Sequence, residues 1–249
     1  MADIAPLPLA VVFDDGRQHG TPERAGPRAR RPVTAESMLL AAVAHDLYPA
    51  LGAITGLSGL LADPGVGGDD RARALADIRA ASDVMIGQCR DLAEVARLLR
   101  TGEPPRGDRA DVAVLVRDAL AGTDVGGRRV LTDLPSFEVT LSGPTVQRIV
   151  ANLLLDAAGH TRAGTTIRVW ARPRRPGMLL GVEDDDPARR AVVAPPGAAS
   201  ADPTGPEHPG LAALLAGQFV RAHGGEMRQV ARHGGGTSVE VLLTELVAA

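Results

Sequence analysis

The chain has 249 residues, of which 45% are apolar, 23% charged and 2% aromatic, a balance that fits a soluble globular protein. A formal net charge of -3 argues against nucleic acid as a partner, and the single cysteine, Cys89, excludes an internal disulfide and fits a reducing compartment. No run reaches the ~18 apolar residues of a membrane span and no basic-then-apolar leader opens the chain, so the expectation is a cytoplasmic protein without membrane contact.

This length accommodates two ordinary domains. Residues 1–33 hold a short apolar run, Ile4 to Phe13, broken by Pro6 and Pro8, followed by a Gly-, Pro- and Arg-rich stretch. The composition predicts disorder, with no room for a folded sensor domain. A helix is expected from Thr34, an N-cap with Glu36 in the first turn, to Asp63-Pro64-Gly65. Along it Leu40, Val43, Leu47, Leu51, Ile54, Leu57 and Leu61 recur in steps of three and four, the pattern of one face turned toward a partner helix. Pro49 lies inside this segment and should bend it. His45 is about 200° around the helix from Val43 and about 160° from Leu47, which sends its imidazole toward water among Ala41, Ala42, Tyr48, Pro49 and Gly52.

After a turn at Gly65 to Asp70, a second helix is expected to run to Arg100 with a strict heptad seam: Leu75, Ile78, Ser82, Met85, Cys89, Leu92, Ala96 and Leu99. Cys89 on that seam reads as a small buried hydrophobe. Residues 34–100 thus form an antiparallel hairpin whose apolar stripe, flanked by Ile86, Val95 and Leu98, exceeds what two helices can cover. Pairing with a second copy into a four-helix bundle would bury it, hence a homodimer; the alternative is packing against the C-terminal half of the same chain.

Residues 101–109 read as a linker rich in helix breakers, leading into a second domain over 110–249. There the pattern predicts a helix at Val112 to Leu120, strands at Val130 to Leu134 and Phe137 to Leu141, and a helix from Pro144 to His160. Strands at Thr165 to Ala171 and Met178 to Val182 come next, then a long loop from Asp184 to Pro209 and a helix from Leu211 to His223. Strands at Glu226 to Ala231 and Thr237 to Leu243 close the chain. The order suggests an α+β class: a helical hairpin followed by an α/β sandwich, one sheet with helices on one face.

The run His45-Asp46-Leu47-Tyr48-Pro49-Ala50-Leu51 resembles the phosphoacceptor box of two-component histidine kinases, His-(Glu/Asp)-Leu-Arg-(Thr/Asn)-Pro-Leu. Further boxes follow in the family's order. Residues 149–161, with Asn152 and Asp156 four apart on one helix face, resemble the N-box of the ATPase fold shared by histidine kinases and gyrase. Asp184 stands where the family's Asp-x-Gly-x-Gly box begins, with Asp186 and Ala188 in place of its glycines. Gly210-Leu211-Ala212 resembles the glycine box before a phosphate-binding helix, with Ala212 for the second glycine, and Gly234-Gly235-Gly236-Thr237 resembles the final Gly-x-Gly-Thr turn.

The resemblance implies that His45 carries a phosphoryl group and that Asp46 helps take its proton. It also implies a site for ATP and Mg²⁺ formed by Asn152, Asp156, Asp184, Gly210, Ala212, Gly236 and Thr237, with Asp156 on the metal. The bland alternative for Asn152 and Asp156 is a solvated helix ridge. Three adjacent aspartates, Asp184 to Asp186, would repel one another there unless a cation intervenes. Pro49, where the family has Thr or Asn, supplies no group to position water, which predicts weak phosphatase action. Three functions stay open: a phosphorelay protein exchanging phosphate between His45 and a response-regulator receiver aspartate, loading from ATP being undecided; a histidine phosphotransferase on a degenerate kinase scaffold; and a catalytically dead sequestering module.

Overall fold

The computed structural model describes residues 35–102, 106–189 and 210–245, with the side chains of residues 35–41 and of His45 excepted. The expectations for residues 1–33, for most of the Asp184 to Pro209 loop and for the outward ring of His45 therefore lie outside the described residues.

Two long helices open the fold. Helix α1 spans Ala35–Leu61 and continues through Pro49. Helix α2 spans Gly68–Thr101, with Asp69 and Asp70 in its first turn, where the helix dipole favours acids. It ends at Gly102, whose φ of 64° lets the amide fold back onto the Leu98 carbonyl. Arg71 ties the hairpin turn by donating to the Leu61 carbonyl at 2.7 Å.

The second half adds β1 (Asp108–Asp111), α3 (Val112–Ala121), β2 (Arg129–Asp133), β3 (Glu138–Leu141), α4 (Gly143–Gly159), β4 (Thr166–Pro173), β5 (Gly177–Asp184), α5 (Leu211–Ala222), β6 (Glu226–Ala231) and β7 (Thr237–Thr244). The expected single sheet is two. Strands β1 and β3 form an antiparallel ribbon, and the main sheet runs β2-β4-β5-β7-β6 with only β2 and β4 parallel. Strand β1, Asp-Arg-Ala-Asp, has no alternation and straddles the end of the expected linker at residue 109. Its backbone pairing, and Asp111 capping α3 through the Val114 amide, define it instead.

One face of the main sheet presents Ile167, Val169, Ala171, Met178, Leu180, Val182, Val241 and Leu243 to α4 and α5, whose Ile149, Val150, Leu153, Leu215, Phe219 and Val220 meet them, all buried. Apart from Ala171, each such side chain contributes about 1.5–3 kcal/mol relative to exposure. This sandwich brings three chain ends together: the end of α4, the exit of β5 and the start of α5.

The hairpin docks on the same core. Ala42 of α1 and Val95 and Leu98 of α2 belong to the sandwich's apolar cluster, with both helices against α5. This corrects two expectations. Ala42, placed on the watery side, is 2% exposed because α5 covers that side of α1, while Leu51 of the expected seam is 46% exposed. On α2 the strict heptad divides: Ile78, Ser82, Met85 and Leu92 are partly buried, but Leu75, Cys89, Ala96 and Leu99 are exposed, and Gln88, Val95 and Leu98 turn inward. A straight α-helix drifts roughly 20° per heptad from a 3.5-residue repeat, so a long stripe cannot keep facing one partner. Cys89 is thus a surface thiol.

Candidate functional site

Helix α4 starts after Ser142 with Pro144 in its first turn and carries both N-box positions. Asn152 is 1% and Asp156 6% exposed, so neither lies on a solvated ridge. They serve different neighbours. The Asn152 amide nitrogen donates to Asp91 of α2 at 2.5 Å and to the Arg148 carbonyl at 2.9 Å. Arg148 also pairs with Asp91. Asn152 lines a cleft of about 1060 Å³ between α2 and α4, bordered by Gln88, Asp91 and Gln147. Its side-chain oxygen is buried without a partner.

Asp156 turns the other way. Its carboxylate accepts from Arg189 at 2.5 Å and lies 3.3 Å from His160 Nδ1. Burial pushes its pKa up, but the His160 hydrogen bond and the Arg189 charge outweigh that and hold it below the ordinary value. The same Asp156 hydrogen bond raises His160, against the opposing effect of burial.

The other nitrogen of the same guanidinium donates to Asp184 at 3.0 Å. Asp184, 1% exposed at the end of β5, also accepts from the Asp186 amide at 3.1 Å and from the Thr237 amide. Burial raises its pKa in spite of these partners. Gly236, at φ 85°, passes so close that a Cβ would stand 2.1 Å from the Asp184 carbonyl oxygen, so only glycine fits that turn. The Thr237 hydroxyl is buried without a partner. Arg162 grips Asp186 and holds its carboxyl well below the usual range, while Asp185 accepts from the Thr166 amide at 2.8 Å. The acidic triplet therefore does have intervening cations, and they are arginines.

At the start of α5, Gly210 is an N-cap without a side-chain cap. Asp46 of α1 supplies one, accepting from the Leu211 amide at 2.6 Å. A Cβ on Gly210 would meet Asp46 at 3.2 Å, His160 at 3.4 Å and Asp156 at 3.8 Å, so these three side chains converge on the turn. Ala212 is buried behind it at 5% exposure. The structure thus gathers Asp46, Asp156, Asp184, Gly210, Gly236 and Thr237 at one end of the sandwich, turns Asn152 toward α2, and places His45 in α1 one residue before Asp46. Arg189 and Asp91 were missed by sequence reading. The acid triplet's need for a cation was a signal for the first, and nothing signalled the second.

A magnesium nucleotide does not fit these residues as they stand. Asp156 and Asp184 share one guanidinium, the Asn152 amide is committed to Asp91 and Arg148, and the Leu211 amide is committed to Asp46. Among the described residues no group of three or more His, Cys, Asp or Glu is arranged to hold a metal ion. None of their helices is long and apolar enough to cross a membrane.

A helical hairpin leading into a sandwich is the fold that this chain shares with solved histidine kinases. No family profile matches the chain. Sensor protein VanSB of Enterococcus faecalis is 30% identical over 90 residues, 34% of this chain and 20% of that protein. The probable sensor histidine kinase TcrY of Mycobacterium tuberculosis is 27% identical over 164 residues, 64% of this chain and 34% of that protein. The chain therefore spans about a fifth to a third of these curated relatives. In fold it matches the Acinetobacter baumannii histidine kinase AdeS with a TM-score of 0.57 at 14% identity, over 81% of this chain and 98% of that one. It matches full-length ShkA in complex with AMPPNP with a TM-score of 0.52 at 18% identity, over 87% of this chain and 47% of that one. In sequence the chain is similar to sensor histidine kinases over part of their length, and in fold it is similar to a solved histidine kinase.

Proposed function

We propose that this chain is a cytoplasmic phosphorelay protein of the two-component type, in which His45 carries a phosphoryl group and exchanges it with an aspartate of a response-regulator receiver domain. The observation that carries the reading is the placement of the His45-Asp46 pair on a hairpin docked against the start of α5, in the order of elements shared with sensor histidine kinases. In the transfer step the neutral imidazole attacks phosphorus of the receiver's aspartyl phosphate. The N–P bond forms as the O–P bond breaks, and the aspartate leaves as its carboxylate. The imidazole proton departs to a base, the role assigned to Asp46 once it leaves the Leu211 amide.

The protein acts as a homodimer in this reading, supported by the apolar residues left exposed on both helices: Leu51, Leu60, Leu75 and Ile86. The AMPPNP complex of ShkA makes ATP the donor to test beside the receiver. The double commitment of Arg189 to Asp156 and Asp184 favours the receiver as the source. The purified chain is incubated separately with labelled ATP plus Mg²⁺ and with a receiver domain charged by labelled acetyl phosphate. Label on His45 from the receiver, lost in His45→Gln, is the expected result. A chain that takes no label from either donor is a sequestering module instead.

A further inference from the structure

Among the described residues, no other side chain shares the situation of Arg189. Its side chain is 8% exposed, and the two ends of its guanidinium are spent on two different carboxylates, Asp156 of α4 at 2.5 Å and Asp184 of β5 at 3.0 Å. These two are 6% and 1% exposed. Two buried acids 28 positions apart would repel each other strongly at this range, and one planar fork neutralises both. Both acids also belong to the set that the family resemblance assigns to ATP and Mg²⁺, Asp156 to the metal. The guanidinium occupies carboxylate oxygens that a bound metal or base would need. The start of α5 shows the same exchange with opposite sign: the amide that would face a phosphate donates to the Asp46 carboxylate.

We propose that Arg189 is a resident counter-ion that takes the place of a magnesium nucleotide, so that the sandwich is assembled around its own side chain and the cradle is closed to ATP. The inference rests on the phosphorelay reading only for the identity of the cradle. Arg189 holds α4 to the exit of β5 as a bound ligand would. Removing one partner of a buried pair leaves uncompensated charge, so Asp156 and Asp184 together become a site for a hard divalent cation once Arg189 is gone.

Two measurements on the full chain test this. Calorimetric titration of the native protein with Mg²⁺ and ATP is expected to show no saturable binding. Arg189→Ala is expected to bind Mn²⁺ or Mg²⁺ at least about tenfold more tightly than the native chain, a gain abolished by Asp156→Asn with Asp184→Asn. Saturable Mg-ATP binding by the native chain overturns the proposal, as does a folded Arg189→Ala with no gain in cation affinity. If that variant does not fold, ¹⁵N spectra of the native arginine side chains decide: slowly exchanging guanidinium protons of Arg189 should persist under excess Mg-ATP, and their loss overturns the idea. Failure here leaves transfer from a receiver to His45 untouched, and failure of that transfer leaves the ion bridge untouched.

Discussion

The Asp46 carboxylate accepts the Leu211 backbone amide at 2.6 Å, so the residue next to His45 caps a helix 165 positions further on. A helix start needs an acceptor, and Gly210, the local N-cap, has no side chain to provide one. The helix that carries His45 is thereby locked to the helix that the glycine box begins.

Asp46→Ala is expected to lower stability by about 1 kcal/mol, the usual worth of an N-cap, with the charge at the helix end contributing part of it. Asp46→Asn keeps an acceptor and should recover most of the loss. Hydrogen exchange at the Leu211 amide is the specific readout. Unchanged protection there in Asp46→Ala would show that the contact does not hold the hairpin in place.

Asp91 links α2 to α4 through Arg148 and Asn152. Asp91→Ala should destabilise the chain by about 1–3 kcal/mol, since it removes a charged acceptor from a largely buried amide. Urea unfolding measures this. Combined with Asn152→Ala, the loss should be clearly less than the sum of the two single losses.

Two histidines set opposing pH limbs. His160 is raised above its ordinary 6.5 by its hydrogen bond to Asp156, so the folded state holds its proton more tightly than the unfolded state. Its stabilisation is complete below 6.5 and is lost as pH climbs through the raised folded value. His223 is lowered from 6.5 by burial, with a ring nitrogen lacking any partner. Its unfolded form takes up a proton first, so stability falls as pH drops below 6.5. On these two groups stability peaks near pH 6.5, and His160→Gln should flatten the alkaline limb while leaving the acid limb in place. Unfolding free energies from pH 5 to 9 check both.

Leu75 and Ile86 lie on one face of α2, at 55% and 47% exposure, in line with the exposed Cys89. Sedimentation equilibrium is expected to find the native chain dimeric and the Leu75→Arg, Ile86→Arg double variant monomeric with an unchanged circular dichroism spectrum. A monomeric native chain would instead assign this stripe to another partner.

Element order was legible because periodicity is local. The hairpin and most strands of the sandwich lie within a few residues of where apolar spacing puts them, and Pro144 and Gly102 mark helix ends by their own backbone preferences. Strand β1 was invisible for the converse reason: Asp-Arg-Ala-Asp becomes a strand only because β3 lies beside it. The heptad on α2 misled at Leu75, Cys89, Ala96 and Leu99, which face solvent while Val95 and Leu98 beside the stripe meet the sandwich, a division no single-helix pattern encodes.

At the candidate site the boxes named residues that the structure mostly gathers at one end of the sandwich, and their partners were hidden. The identity and order of the acids, glycines and the His45-Asp46 pair are properties of the chain read linearly, and these alone pointed to the family. Which charge meets which is decided in three dimensions, since Coulomb energy depends on distance in space and on burial, neither of which spacing along the chain reports. Only the tertiary structure could give Asp184 and Asp156 a common arginine, turn Asn152 toward Asp91, and hand the start of α5 to an acid from the first helix.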